Sequence, residues 1–190
     1  MSKKTIIITI ILGLSLLCFL LFQKPHIATD ETELYSYLLG SMMDSNDENV
    51  ADILANDDQE EKLFDLFMHI GDKSNYGEDF SDCTIVEQNF YMLYNFHGEV
   101  GNGGVEQFIY NYYYNYEFAL ESFQDMNLPV TSQYLQAACN IYPDKRIEMY
   151  SDDNLSNRLS IIDEQYYDLH DQEFNDVIND YVEQNKDQFR

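Results

Sequence analysis

The residues with the best claim to chemistry flank a glycine-rich stretch. It reads Glu99-Val-Gly-Asn-Gly-Gly-Val-Glu-Gln-Phe-Ile-Tyr-Asn111 and runs into Tyr112-Tyr113-Tyr114-Asn115-Tyr116. His97 stands two residues before Glu99, and an imidazole beside a carboxylate is the usual kit for acid–base work or for holding a metal. Residues two apart on a helix point in different directions, however, and no third ligand is evident. An enzyme built on His97, Glu99 and neighbouring aspartates is therefore the least favoured reading. Other signatures are missing. Cys18, Cys83 and Cys139 have no metal-ligand spacing, and there is no nucleophile motif, phosphate-cradling loop or HExxH. Asp44-Ser-Asn46-Asp-Glu48 starts like a calcium loop, but Asn49 stands where glycine is required and Ala55 where a bidentate acid is required. No metal, cofactor or catalytic residue is expected. What Gly101, Gly103 and Gly104 do predict is a sharp helix-to-helix corner, because glycine tolerates positive φ and close backbone approach. Asn102, Gln107 and Asn111 are expected to hold that corner by hydrogen bonds.

The stronger signal is charge. The chain has 35 Asp plus Glu against 10 Lys plus Arg, a formal charge of −25. Its first 28 residues contribute three lysines and no acid, so the remainder carries −28. Acidity of this size often marks disorder, but 45% hydrophobic and 15% aromatic residues are enough to build a core. The product is a folded, strongly negative body that repels nucleic acid and attracts basic protein surfaces. Such self-repulsion lowers stability and exceeds what solubility needs, which is easier to understand if a partner uses it. Two acidic rows stand out. One is Asp57, Glu61 and Asp65; the other is Glu173, Asp176, Asp180, Glu183 and Asp187. The second row spans ~21 Å as a helix, about one charge per 5 Å, against roughly 3.4 Å per phosphate along a DNA strand. Imitating DNA would need a second row alongside, from Asp44–Asp65 or from a second subunit.

The elements that must position these residues read as helices throughout, predicting an all-α, multi-helix bundle. Asp30 and Glu33 start a helix with Leu34, Tyr37, Leu38 and Met42. Asn46 is expected to cap a short helix carrying Val50, Ile53 and Leu54. Asp57 or Asp58 starts the next, with Leu63, Phe64, Phe67 and Ile70, stopped by Gly71. A longer helix is expected over 82–97, then the corner, then a helix from Val105 so aromatic that it belongs at the centre of a bundle or, in the alternative, at a protein interface. Asn115 begins another, through Phe118, Ala119 and Phe123. Pro129 opens one more, which Pro143 ends. Residues 144–157 read as a loop, 155–162 as a short amphipathic helix, and 171–188 as a separate helix. Phe174, Val177, Ile178, Tyr181 and Val182 form the apolar face of that last helix, and its acids lie opposite. Cys83 and Cys139 are expected as free thiols rather than a pair.

The N-terminus is different in kind. Lys3 and Lys4 precede Thr5–Phe22, 18 residues without a charge, closed by Gln23-Lys24-Pro25. A helix of that length spans ~27 Å, near the hydrocarbon thickness. Residues 1–28 are read as an uncleaved signal-anchor and linker, with residues 29–190 as the acidic domain outside the cytoplasm. A cleaved signal peptide, leaving a secreted or periplasmic domain, is the alternative.

Several separated elements carry a resemblance. The spacing Glu99-x-x-Asn102-Gly103-Gly104-x-x-Gln107-Phe108-x-x-Asn111, with Asp163-Glu164-Gln165-Tyr166-Tyr167 and Tyr181-Val182-Glu183-x-x-x-Asp187-x-Phe189, resembles the bacterial DNA-mimic protein 19 family over about residues 60–190. Val105 departs from the family pattern, where an aromatic is common, and the apolar N-terminus is a second departure. The resemblance implies an all-helical domain and allows a homodimer. Its founding type covers the DNA-binding face of a transcription repressor with its negative surface. The expectation is therefore a non-enzymatic electrostatic decoy for a basic protein surface, that of a DNA-binding protein or, in the alternative of an envelope immunity protein, a toxin.

Overall fold

Several of the helices begin where a side chain can take the orphan N–H groups of a first turn. The computed structural model describes residues 49–112, 116–142 and 153–190, which fall within one unit, Glu48–Arg190. The short helix α1, Val50–Leu54, is capped by Asn49, which accepts from the Ala51 N–H at 3.1 Å, and not by the expected Asn46. Asp58 caps α2, Gln59–Lys73. Gly71 does not stop α2. It is buried within the helix against the rings of Tyr76 and Tyr91, and the chain turns only at Asn75, Tyr76 and Gly77, all at positive φ. Here a tertiary contact overrides glycine's preference for a helix end.

Helix α3, Ile85–Tyr112, opens with a reciprocal cap: Thr84 Oγ1 accepts the Glu87 N–H while Glu87 Oε2 accepts the Thr84 N–H. The corner falls inside it. Gly103 and Gly104 leave helical geometry, and Gly104 (φ 75°, ψ −179°) occupies a region reserved in practice for glycine. Helix α4, Tyr116–Asp125, follows, then α5, Pro129–Ile141, with proline in the first turn. The expected 155–162 and 171–188 helices are one element, α6, Asp153–Asn185, closed by a 3-10 turn at Lys186–Gln188. No glycine or proline interrupts residues 153–185, so nothing in the backbone breaks the helix. The acidic stretch 163–170, which masks its apolar period, is helical too.

Every described element is helical. The core runs along α3, where Phe90, Met92, Leu93 and Phe96 lie before the corner and Val105, Phe108 and Ile109 after it. α4, α5 and α6 pack around this spine. Phe96 anchors it with edge-to-face contacts to Phe108, Phe123 and Tyr134 at ring centroid distances of 4.7, 5.2 and 5.6 Å. Phe174, Ile178 and Val182 of α6 are buried on the expected face, and Phe189 closes the C-terminal end against Phe90. Among the described residues no helix is long and apolar enough to cross a membrane. The anchor expected at residues 5–22, the 1–28 and 29–190 division, and the helix from Asp30 lie outside the described residues, apart from the part of the second range given above. Cys83 and Cys139 are free thiols.

Candidate functional site

The corner is held from three sides. Glu99, on the first half of α3, accepts from Gln107 Nε2 at 2.7 Å and from Asn111 Nδ2 at 2.8 Å, both on the second half. One carboxylate oxygen thus ties the two arms of the bend. Burial pushes the Glu99 carboxyl above its ordinary value, and the two amide donors oppose that shift. Asp163 of α6 supplies the second hold. Its Oδ1 accepts the Val105 N–H at 2.9 Å and the Tyr134 hydroxyl of α5, so it caps the new helix start and joins three elements. A Cβ added at Gly104 would collide with this carboxylate. Third, Ser156 Oγ donates to Glu106 Oε1 at 2.7 Å. Phe108 is fully buried. Asn102, expected to share in the bonding, is exposed, and its side chain makes no hydrogen bond among the described residues.

His97 and Glu99 do not come together as an acid–base pair. His97 stacks on Phe174, rings parallel with centroids 3.7 Å apart, while Glu99 turns to its amides. Burial lowers the His97 pKa, with Asp171 opposing. The neighbouring His170 is almost wholly enclosed. Its Nδ1 lies 2.9 Å from Thr131 Oγ1, which in turn donates to Glu173 Oε2 at 2.7 Å. Because the Thr131 proton goes to Glu173, His170 must carry its own proton on Nδ1. Its Nε2 is buried without a partner among the described residues, and burial, with His97 close by, holds His170 down at about 3. No group of three or more potential metal ligands occurs among the described residues.

Glu173 was expected on the acidic face, opposite the apolar side of the last helix. It turns instead to α5, accepting the N–H groups of Val130 and Thr131 at 3.1 and 2.8 Å as well as the Thr131 hydroxyl. The residue before α5, Leu128, has no side chain able to cap, so the cap comes from another helix. Glu183 is half-engaged: Lys62 of α2, nearly buried, approaches it at 3.5 Å. Asp176, Asp180 and Asp187 remain exposed and without a side-chain partner among the described residues. Asp57, just before α2, and Glu61, in its first turn, are exposed, and Asp65 is half-buried. The Lys62–Glu183 contact ties the first half of α2, which carries Glu61, to the C-terminal part of α6. The bases offer little compensation. Among the described residues they are Lys62, Lys73, Arg158, Lys186 and Arg190, and Lys73 is committed to Glu87, at 2.8 Å.

Glu87 was not among the residues singled out from the sequence. Fully buried, it takes both Lys73 contacts and the N–H groups of Thr84 and Arg190. Burial by itself would raise its pKa, but these donors hold it below the ordinary glutamate value. Its only legible signal is the Thr84-x-x-Glu87 spacing of a capping box.

A family model described as DMP19-like protein matches residues 81–185. The chain belongs to the DMP19-like protein family. The matched span begins just before α3 and ends with α6, and so contains the corner, Asp163, Glu173 and most of the C-terminal acidic row. No curated protein and no solved structure matches the chain. Within the matched segment Glu99, Gln107 and Asn111 tie the two arms of the bend, Gly104 supplies its positive φ and Phe108 is buried beside it, while Asn102 takes no part in the bonding.

Proposed function

We propose that this DMP19-like protein is a non-enzymatic binding module that uses its negative surface to occupy a basic, nucleic-acid-binding face of a partner protein. The observation that carries the reading is the exposed set Asp176 and Asp180 on α6 and Asp187 in the turn that closes it, which have no side-chain partner among the described residues, with exposed Glu61 on α2, a helix that Lys62 ties to Glu183 of α6. With Glu173 withdrawn, one row is sparser than a DNA strand, so the pair of helices is the unit that a basic surface meets. Family membership supports a DNA-mimic type of protein. Among the described residues His97 stacks on Phe174 and His170 bonds to Thr131, so the pair on which an enzymatic reading was built is not formed.

The test is competition. A basic DNA-binding protein held on a sensor surface is expected to bind the chain with an affinity that falls steeply as salt rises, and duplex DNA is expected to displace it. Replacing Asp176, Asp180 and Asp187 together with asparagine should weaken binding and flatten the salt dependence. Binding indifferent to salt and to these three residues would remove the decoy reading.

A further inference from the structure

The exposed Asn102–Gly103 step is the one place where this chain presents an asparagine followed by glycine. We propose that it is a site of spontaneous covalent modification, at which Asn102 cyclises onto the Gly103 nitrogen and opens to aspartate and isoaspartate. In the first step a bond forms between the Gly103 backbone nitrogen and the Asn102 side-chain carbonyl carbon. The bond from that carbon to Nδ2 breaks, and ammonia leaves with the proton that Gly103 loses. Water then adds to either carbonyl of the five-membered imide. One opening restores the normal backbone as aspartate; the other leaves the chain running through the side-chain carbon as isoaspartate.

Three observations favour this position over the other asparagines. Gly103 carries no Cβ to obstruct the approach of its nitrogen. Asn102 is exposed with no side-chain hydrogen bond among the described residues, whereas Asn111 is tied to Glu99, and Asn95 and Asn89 are buried before phenylalanines. Helical geometry also ends at the next residue, Gly103 (φ −155°, ψ 21°), so turning the Asn102 backbone toward the imide does not break into a continuing helix. Both products exchange a neutral amide for a carboxylate on an already acidic surface. Isoaspartate also lengthens the backbone by one carbon between Glu99 and its partners Gln107 and Asn111, and makes the corner a substrate for an isoaspartyl-specific carboxyl methyltransferase.

The experiment incubates the folded full-length chain at physiological temperature and mildly alkaline pH, beside a urea-unfolded sample and the Asn102→Gln variant. Peptide mapping by mass spectrometry then follows the replacement of NH2 by OH, and methyltransferase labelling follows isoaspartate. Conversion is expected at Asn102 of the folded chain before any other asparagine, faster at higher pH, with labelling abolished in Asn102→Gln. Because the exposed Asn102 makes no side-chain hydrogen bond among the described residues, this variant is expected to unfold in urea like the parent. If Asn102 keeps its amide in the folded chain while the unfolded sample converts, or if label appears first elsewhere, the proposal is overturned.

Discussion

Along α6 the carboxylates divide by the side they face. Asp163 and Glu173 turn inward and act as ligands for the backbone, each capping the start of a different helix that has no cap of its own. Asp176 and Asp180, with Asp187 in the turn just beyond, face outward and have no side-chain hydrogen bond or ion pair among the described residues. The residue types are the same and the roles are opposite. An inward carboxylate replaces its hydration with fixed N–H and O–H donors, so removing it leaves those donors unsatisfied. An outward one stays in water and contributes only field, which weakens the fold slightly and is available to a partner.

That contrast can be broken or sharpened by substitution. The largest loss is expected at Glu87, the most deeply buried acid: Glu87→Ala should cost about 4 kcal/mol in urea or thermal unfolding, because it strands Lys73 and two backbone N–H groups. Gly104→Ala comes next. Its positive φ and the collision with Asp163 are expected to cost about 2–3 kcal/mol, measured the same way. Acid should act through His170. The unfolded chain takes up this proton near pH 6.5 and the folded chain only near pH 3, so the group's contribution is intact above pH 6.5 and is lost as pH falls toward 3. His170→Gln is expected to flatten the stability-against-pH curve in that window by about 1.4 kcal/mol per pH unit, read from urea midpoints across buffers. Glu173→Ala should cost about 1–2 kcal/mol, the size of a lost N-cap, and its loss should show as faster hydrogen exchange in the first turn of α5. The smallest change in stability, within about 0.5 kcal/mol, is expected for Asp180→Asn, whose effect should appear only as a shallower salt dependence of binding. A loss at Asp180 as large as at Glu173 would erase the inward–outward distinction.

The comparison also marks what could be read from residues alone. The corner at Gly101–Gly104, the proline start of α5 and the apolar face of Phe174, Ile178 and Val182 were legible because each rests on chemistry within a few residues: glycine's φ, proline's missing N–H, and the helical period. Gly71 misled because a local stop signal was outweighed by packing against Tyr91. The unity of α6 was hidden because its middle, 163–170, spends its polar side chains on distant elements and so loses the amphipathic pattern. Glu173 looked like one more member of an acidic row, since nothing local distinguishes a capping glutamate from a solvated one.

The order of residues by itself determined that this protein is helical, bent at a glycine corner and strongly negative, because propensity, period and formal charge are properties of short segments and of composition. Only the tertiary structure decided which carboxylates remain free. Whether an acid finds an N–H or faces water depends on which helix start lies opposite it, and Glu173 meets α5 across 42 or 43 residues of chain.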